Sequence, residues 1–305
     1  MSFGGGFLRH PDLFPARRSG EPWGDRAVAL DVAGGPYLLS GLAAPQEEAL
    51  RRRFGPLCGP AEAEGTVTAS AVFRAPAADF LPIDTRGWEY TLDLDPAPGA
   101  LRVAGLHLMA RLDWTPALAG ALWTPRTEGE EWASVCENYL RMLTAYRLLE
   151  QGGALLHSAG VSDGEAAWLL LGPSGAGKTT ASRLCLAGGA TVLSDDLNAV
   201  LFAGGEARLR KLPFTGDLGE RAGGPESVPL RAVLRLAQGE VEGLRRLSPA
   251  AALAALVAAS PFVNRDPWRR EALLAVLERL ARAVPAWEVT FSREGELWGM
   301  LKAIR

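Results

Sequence analysis

The stretch "GPSGAGKT", from Gly172 to Thr179, carries residue types and a spacing that can bind phosphate. It fits the pattern G-x-x-x-x-G-K-[ST] in full, and it lies between the apolar run "WLLLG" and a helix-forming segment, as this motif requires. Glycines let successive backbone N–H groups turn towards an anion, and the helix adds its positive end. Lys178 would reach the β- and γ-phosphates of a nucleotide, and the Thr179 hydroxyl would bind Mg²⁺. The predicted phosphate-binding residues are Gly172, Pro173, Ser174, Gly175, Ala176, Gly177, Lys178, Thr179 and Thr180.

The alternative is a glycine-rich turn without a ligand, which the agreement of motif, strand and helix disfavours.

Two adjacent carboxylates, Asp195 and Asp196, follow the apolar run "TVLS" at the next predicted strand end. Phosphoryl-transfer proteins hold Mg²⁺ through a carboxylate at such a position. A second carboxylate beside the first can act as a base on an incoming hydroxyl group. The alternative is that the pair forms an ordinary strand-end turn.

A single histidine, His157, stands in the apolar run "LLHSAG", 21 residues before Lys178. The tight turn "SDGE" predicts that this strand pairs antiparallel with the strand leading into the glycine-rich loop. His157 could then reach the mouth of the loop. A histidine on an apolar strand is more often a hydrogen-bonded core residue, and residue type and spacing alone leave that alternative open.

The series "LLHSAG", "GPSGAGKT" and "LSDD" resembles the catalytic domain of HPr kinase/phosphorylase, a P-loop α/β fold with a mixed sheet that is related to phosphoenolpyruvate carboxykinase. The resemblance implies ATP and Mg²⁺ as cofactors. It implies that Asp195 is the catalytic base and that His157 is the partner that tunes it. It also implies that Asp196 and Thr179 bind Mg²⁺ and that Lys178 binds the phosphates.

The resemblance covers Gly153 to about Phe214. The downstream part, from "VPLRAVLRL" to "LSPAAALAAL", looks like the shorter HPr-kinase-like proteins of uncertain substrate found beside peptide-processing genes. The Gly- and Ile-rich signature of the family, which supports HPr docking and phosphorolysis, is missing. The segment "KLPFTGDLGERAGGPESVP" stands in its place, and we expect a flexible flap from about Thr215 to Pro229. These departures disfavour HPr as the acceptor, phosphorylase activity and a hexamer.

The leading hypothesis is therefore a kinase that phosphorylates a hydroxyl group, on Ser for example, of a protein or peptide. A small-metabolite kinase and a nucleotide-binding regulatory protein without phosphotransfer are the alternatives. Basic residues could assist at the γ-phosphate, although a solvated surface charge is the commoner role. The candidates are Arg208, Arg210, Lys211, Arg221 and Arg265.

The elements that must position these residues occupy the second half of the chain. Short strand-like runs, "AVALDVAG", "VTASAVFRA", "WEYTLDLD" and "LRVAGLHLMARLDW", with one helix, "PQEEALRRRFG", predict a β-rich module over residues 1–129. Helical periodicity predicts a connecting helix over 130–152, and alternating elements predict a catalytic domain over 153–305. Ser248-Pro249 and Asp266-Pro267 resemble an N-cap followed by a first-turn proline, which predicts two helices, ending near Ser260 and Ala283.

Bulk composition narrows the class of protein. The 305 residues carry a net charge of −3, which gives no electrostatic reason to expect nucleic acid or an anionic membrane as a partner. Three scattered cysteines, Cys58, Cys136 and Cys185, disfavour a zinc site and are expected to be buried. We expect a cytoplasmic protein without a signal peptide, and a homo-oligomer stays open.

Overall fold

The computed structural model describes residues 20–60, 67–77, 80, 92–105, 107–126, 129–214, 216–219, 224–237, 241–293 and 295–304. Contacts divide the chain into two compact units, with the division between Arg147 and Leu148. Each unit contains one large mixed sheet, so the fold is mixed α/β, as expected. No helix among the described residues is long and apolar enough to cross a membrane.

The first unit contains an eight-stranded sheet among its described residues. Its strands are β1 Arg26–Leu30, β2 Tyr37–Leu42, β3 Cys58–Gly59, β4 Thr68–Arg74, β5 Asp93–Pro96, β6 Ala100–Gly105, β7 Leu108–Asp113 and β8 Ala119–Thr124. Their order is β3-β1-β2-β4-β8-β7-β6-β5, and only β2–β4 and β4–β8 pair in parallel. Helix α1, Ala44–Phe54, confirms the one helix expected in this part of the chain.

The strand patterns predict most of this sheet correctly but not all of it. The run "LRVAGLHLMARLDW" forms the hairpin β6–β7 rather than one strand, because the chain reverses beside His107, whose φ is 55°. The sequence patterns do not single out β2 and β8. The first part of "WEYTLDLD" lies outside the described residues. Cys136 is buried as expected, whereas Cys58 is partly exposed because it lies on the short edge strand β3.

Helix α2, Gly129–Glu150, confirms that the region predicted as helical is a helix, and the division between the units falls within it. The predicted apolar stripe is buried through Tyr146, and Tyr139 shares a 2.7 Å hydrogen bond with Ser70. The apolar side chains of this helix therefore pack into a core. The helix ends before Gly152, whose φ of 71° suits a glycine after a helix C-terminus.

The second unit contains the other eight-stranded sheet. Its strands are β9 Ala154–Ser162, β10 Ala167–Leu171, β11 Thr191–Ser194, β12 Leu197–Ala203, β13 Glu206–Arg210, β14 Ser227–Ala237, β15 Gly243–Arg246 and β16 Ala286–Thr290. The long strands β9 and β14 change partners along their length, so that β9, β12, β13, β14 and β10 pair in a closed ring. Only β10–β14 and β14–β16 are parallel.

Among the described residues, this sheet is accompanied by four α-helices, α3 Lys178–Ala187, α4 Pro249–Ala259, α5 Arg270–Ala283 and α6 Leu297–Lys302, and by a 3-10 helix, Val263–Arg265. Ser248 caps α4 as expected, because its Oγ accepts the backbone N–H of Ala251. The prediction that Asp266 caps α5 is wrong. Asp266 is fully buried, its carboxylate binds the backbone N–H of Trp268 and the guanidinium of Arg269, and the helix begins only at Arg270.

Candidate phosphate-binding cleft

The turn between β9 and β10 brings the predicted site residues to one end of the sheet. Ser162 Oγ accepts the N–H of Gly164, and Asp163 accepts the N–H groups of Glu165 and Ala166, which closes the "SDGE" turn. The two strands pair antiparallel, as the sequence predicts, and the structure places Ser158 opposite Leu171. His157 therefore stands level with the first residue of the glycine-rich loop.

The loop from Gly172 to Gly177 joins the end of β10 to the start of α3. Gly175 and Gly177 have φ values of 78° and 96°, a region that side-chain-bearing residues rarely adopt. Gly177 is the N-cap of α3, so the N–H groups and the positive end of this helix face the loop. The local backbone is therefore suited to receive an anion.

Lys178 is the first residue of α3, and only 8% of its surface is exposed. Its Nζ donates to the carbonyl oxygens of Gly172 at 2.8 Å and Pro173 at 3.2 Å. Burial lowers the pKa of this ammonium group, and the nearby Asp196 carboxylate partly opposes that effect. A buried cation held against its own loop is positioned to bind phosphate oxygens.

The carboxylates of Asp195 and Asp196 lie directly after β11, in a turn that Ser194 organises. Ser194 Oγ accepts the backbone N–H of Asp196 at 3.2 Å and of Leu197 at 3.3 Å. Asp195 is 7% exposed, and its Oδ2 accepts the backbone N–H of Leu218 at 3.0 Å. The pair thus forms a strand-end turn, and both residues also line the cleft described below.

His157 is not a core residue. It is the one exposed position in β9, and 47% of its side chain is accessible to solvent. Its Nε2 lies 3.7 Å from Asp196 Oδ1. This contact is with Asp196, whereas the resemblance implies a partnership with Asp195.

These side chains surround one cleft of about 640 Å³. Its lining residues are His157, Ser174, Gly175, Gly177, Lys178, Thr179, Thr180, Asp195, Asp196, Gly216 and Asp217. The structure therefore brings together most of the predicted residues. Gly172, Pro173 and Ala176 belong to the loop but do not line the cleft.

Gly216 and Asp217 are lining residues that the motifs do not identify. Thr179 Oγ1 donates to Asp217 Oδ2 at 3.2 Å, a contact between residues 38 positions apart. No local pattern marks such a residue, since the fold alone brings it to the loop. The carboxylate after a glycine in "TGDLG" is the only signal in the sequence, and it is a weak one.

Four of the five expected basic helpers are described by the structure, and they lie outside the cleft lining. Arg208 binds Ser227 and Glu206 across the β13–β14 region. Neither it nor Arg210, Lys211 or Arg265 lines the cleft. Arg221 lies outside the described residues.

The expected flap is partly a strand. Residues 215 and 220–223 lie outside the described part of the chain, so the flap's mobility stays a prediction. Gly216 to Gly219 forms a turn closed by a 3.1 Å hydrogen bond between its end residues. Ser227 to Pro229 belongs to β14, because these residues pair with β13.

The oxygen atoms in the cleft are of the kind that Mg²⁺ prefers, since they come from a threonine hydroxyl and carboxylates. Among the described residues no cluster of three or more His, Cys, Asp or Glu side chains could hold a metal by itself. Nucleotide-bound Mg²⁺ needs no such cluster, because it is usually held by one or two carboxylates together with substrate phosphates.

Comparison with known proteins gives a family. Residues 127–304, more than half of the chain, match the family model described as SynChlorMet cassette protein ScmC. The chain belongs to the ScmC family. The match begins close to α2 and contains every residue that lines the cleft.

Other comparisons add little. No curated protein matches the chain. Among solved structures, the Hpr(Ser) kinase/phosphatase from Coxiella burnetii is similar with a TM-score of 0.28 and 8% identity, over 49% of this chain and 92% of that one. A likeness at this TM-score does not establish a common fold.

Proposed function

We propose that this ScmC family member is an ATP- and Mg²⁺-dependent kinase that phosphorylates a hydroxyl group of a protein or peptide. The observation that supports it best is the cleft, where Lys178 and Thr179 face Asp195 and Asp196. Phosphoryl transfer needs positioning and charge stabilisation more than covalent chemistry from the protein. This set of side chains is suited to both tasks.

The glycine-rich loop would hold the phosphates of ATP. A Cβ at Gly175 would meet nothing within 4 Å, so the loop leaves space beside its backbone. The N-terminus of α3 offers N–H groups, and Lys178 Nζ can exchange its two carbonyl partners for phosphate oxygens. Charge that develops on the transferring group would then face a cation in a site of low exposure.

Thr179 and Asp196 would hold the Mg²⁺ ion of the nucleotide. When bound, the ion neutralises charge on the phosphates and orients them. His157 lies beside Asp196, so we assign it to the positioning of that carboxylate. This assignment replaces the partnership with Asp195 that the resemblance to HPr kinase/phosphorylase implies.

Asp195 would accept the proton of the acceptor hydroxyl. Its Oδ2 is fixed by the N–H of Leu218, and the carboxylate lines the same cleft as the loop. A positioned carboxylate of this kind contributes about 10²–10⁴-fold to proton-transfer chemistry. The acceptor class follows from the "LLHSAG", "GPSGAGKT" and "LSDD" series and its resemblance to a protein-directed kinase.

Incubation of the full chain with labelled ATP, Mg²⁺ and candidate acceptors tests this proposal. The word cassette in the family name makes proteins and peptides encoded in the same cassette the first acceptors to test, beside a panel of small hydroxyl compounds. We expect a phosphorylated hydroxyl on a protein or peptide, identified by mass spectrometry. Label on a small compound alone would favour a metabolite kinase, and ATP binding without any labelled acceptor would favour a regulatory protein.

A further inference from the structure

The turn from Gly216 to Gly219 contacts both halves of the proposed site. Asp217 Oδ2 accepts the hydroxyl of Thr179 at 3.2 Å. The next residue, Leu218, donates its backbone N–H to Asp195 Oδ2 at 3.0 Å. One turn therefore touches a proposed metal ligand and the proposed base.

The packing of this turn is close. A Cβ added at Gly216 would lie 2.8 Å from Asp195 Cγ and 2.9 Å from Asp196 Cβ, distances that real Cβ atoms do not show. Any side chain at this position would displace the carboxylates. Gly216 and Asp217 also line the cleft itself, so the turn forms part of its wall.

The direction of the hydrogen bond determines what Asp217 can do. A carboxylate accepts only, so the Thr179 hydroxyl must donate to Asp217 and its oxygen lone pairs are left for another partner. A hydroxyl that is fixed in this way presents those lone pairs to a cation in the cleft. Outer partners of this kind commonly orient the residues that bind a metal.

We infer that Asp217 is a positioning residue that orients the Thr179 hydroxyl for Mg²⁺, and that its turn couples the metal site to Asp195. The inference rests on the proposed function, in which Thr179 binds the ion of the nucleotide. It adds to that function a residue from a segment that neither the loop motif nor the acidic pair includes.

Calorimetric titration of the full chain with ADP, at saturating Mg²⁺ and again in excess EDTA, tests the inference. The readout is the ADP affinity at saturating Mg²⁺ divided by the ADP affinity in EDTA. This ratio is measured for wild type, Asp217→Asn and Glu226→Gln. Glu226 is an exposed carboxylate outside the cleft lining, and its variant makes the same change of charge. We expect Asp217→Asn to reduce the ratio about 10–100-fold, with ADP affinity in EDTA and the melting temperature unchanged. Glu226→Gln should match wild type.

An unchanged ratio in Asp217→Asn would overturn the inference. A larger ratio would overturn it too, because Asp217 would then hold Thr179 away from the ion. The variants Thr179→Ala and Asp217→Ala, alone and combined, give a second test. We expect the double variant to lose no more than Thr179→Ala alone, and full additivity would contradict coupling between the two residues.

The inference and the proposed function can fail separately. An Asp217-dependent Mg²⁺ effect on ADP binding, with no phosphoryl transfer to any acceptor, would keep the inference and overturn the kinase. Mg²⁺-dependent phosphoryl transfer at the same rate in wild type and Asp217→Asn would keep the kinase and overturn the inference. Absence of ADP binding in wild type, both at saturating Mg²⁺ and in EDTA, would overturn both.

Discussion

At the scale of single residues, Lys178 combines a functional position with a cost in stability. Burial lowers its pKa, so the folded chain binds the lysine proton less tightly than the unfolded chain does. Between the folded and the unfolded pKa values the unfolded state therefore carries more protons, and stability should rise with pH through that window up to the ordinary pKa of a lysine. At neutral pH the buried charge on Lys178 therefore lowers the free energy of unfolding.

The variant Lys178→Met keeps most of the side-chain volume but removes the charge. We expect ADP affinity to fall about 10–100-fold, because a charged hydrogen bond to phosphate is lost. The melting temperature of the variant at neutral pH should not be lower than that of wild type. If the variant is more stable than wild type, the difference should shrink at alkaline pH. Lys302→Met, at an exposed lysine outside the cleft, is the control and should keep ADP affinity. A large loss of stability in Lys178→Met with normal ADP binding would contradict the assignment.

His157 gives a second prediction at this scale. Because its side chain is half exposed, His157→Ala should change the free energy of unfolding by no more than about 0.5 kcal/mol. It should instead raise the Mg²⁺ concentration needed for tight ADP binding, since Asp196 loses its neighbour. Thermal denaturation and the Mg²⁺ dependence of ADP binding measure the two effects. Marked destabilisation with an unchanged Mg²⁺ requirement would return His157 to a structural role.

Residue types and spacing predict the loop lysine, the loop threonine and the acidic pair, because each lies in a local pattern. They predict neither Asp217 nor the neighbour of His157. Those contacts depend on where a turn 38 residues beyond Thr179 is placed and on which of two adjacent carboxylates turns towards β9. Only the folded chain determines both.

At the scale of elements, the junction of β10, loop and α3 depends on backbone geometry that only glycine adopts without strain. Gly177 has a φ of 96°, and a Cβ there would lie 3.3 Å from the Phe291 ring. Gly164, in the turn between β9 and β10, has a similar φ of 98° but nothing within 4 Å of its Cβ position. A residue with a side chain would therefore be strained at either position, but only Gly177 lies in the phosphate-binding loop.

Alanine at either position should cost about 1–3 kcal/mol of stability, because both would hold a side chain in a sparsely populated region. Only Gly177→Ala should also weaken ADP binding, since it moves the start of α3 and the N–H groups that face phosphate. Chemical denaturation and calorimetry of both variants check this. Equal ADP affinity in Gly177→Ala and Gly164→Ala would contradict the role of the loop.

The N-termini of α4 and α5 show where local sequence patterns succeed and where they fail in predicting a helix start. Ser248-Pro249 and Asp266-Pro267 look alike in sequence, yet only the first opens a helix directly. Ser248 is free to cap α4, whereas the buried Asp266 carboxylate is engaged by Arg269, and α5 begins at Arg270. Tertiary burial decides between two sequences of equal local preference.

At the scale of the whole molecule, all the residues that line the cleft belong to the unit from Leu148 to Arg305. ADP with Mg²⁺ should therefore slow amide hydrogen exchange first in the loop, in the turn after β11 and in Gly216 to Gly219. Hydrogen-exchange mass spectrometry with and without ligand measures this. Protection confined to strands β1–β8 would place the nucleotide elsewhere.

The sheet order of this unit is beyond sequence patterns. Those patterns predict the antiparallel pair β9–β10, because the short turn "SDGE" joins the two strands. They cannot predict that β14 pairs in parallel with β10, or that β9 also pairs with β11 and β12, since these partners are distant along the chain. The end of the sheet where the cleft lies is nevertheless foreseeable, because the loop follows β10 and the acidic pair follows β11.

The proposed function depends most on Asp195 acting as the base of a phosphoryl transfer to a hydroxyl group. The most direct measurement is the rate of label transfer from ATP to an identified acceptor by wild type and Asp195→Asn, with ADP affinity measured on both. Asparagine keeps size and polarity but cannot take the proton, so we expect transfer to fall about 10²–10⁴-fold while ADP affinity stays within a few-fold of wild type. Transfer at the wild-type rate in Asp195→Asn would contradict the claim.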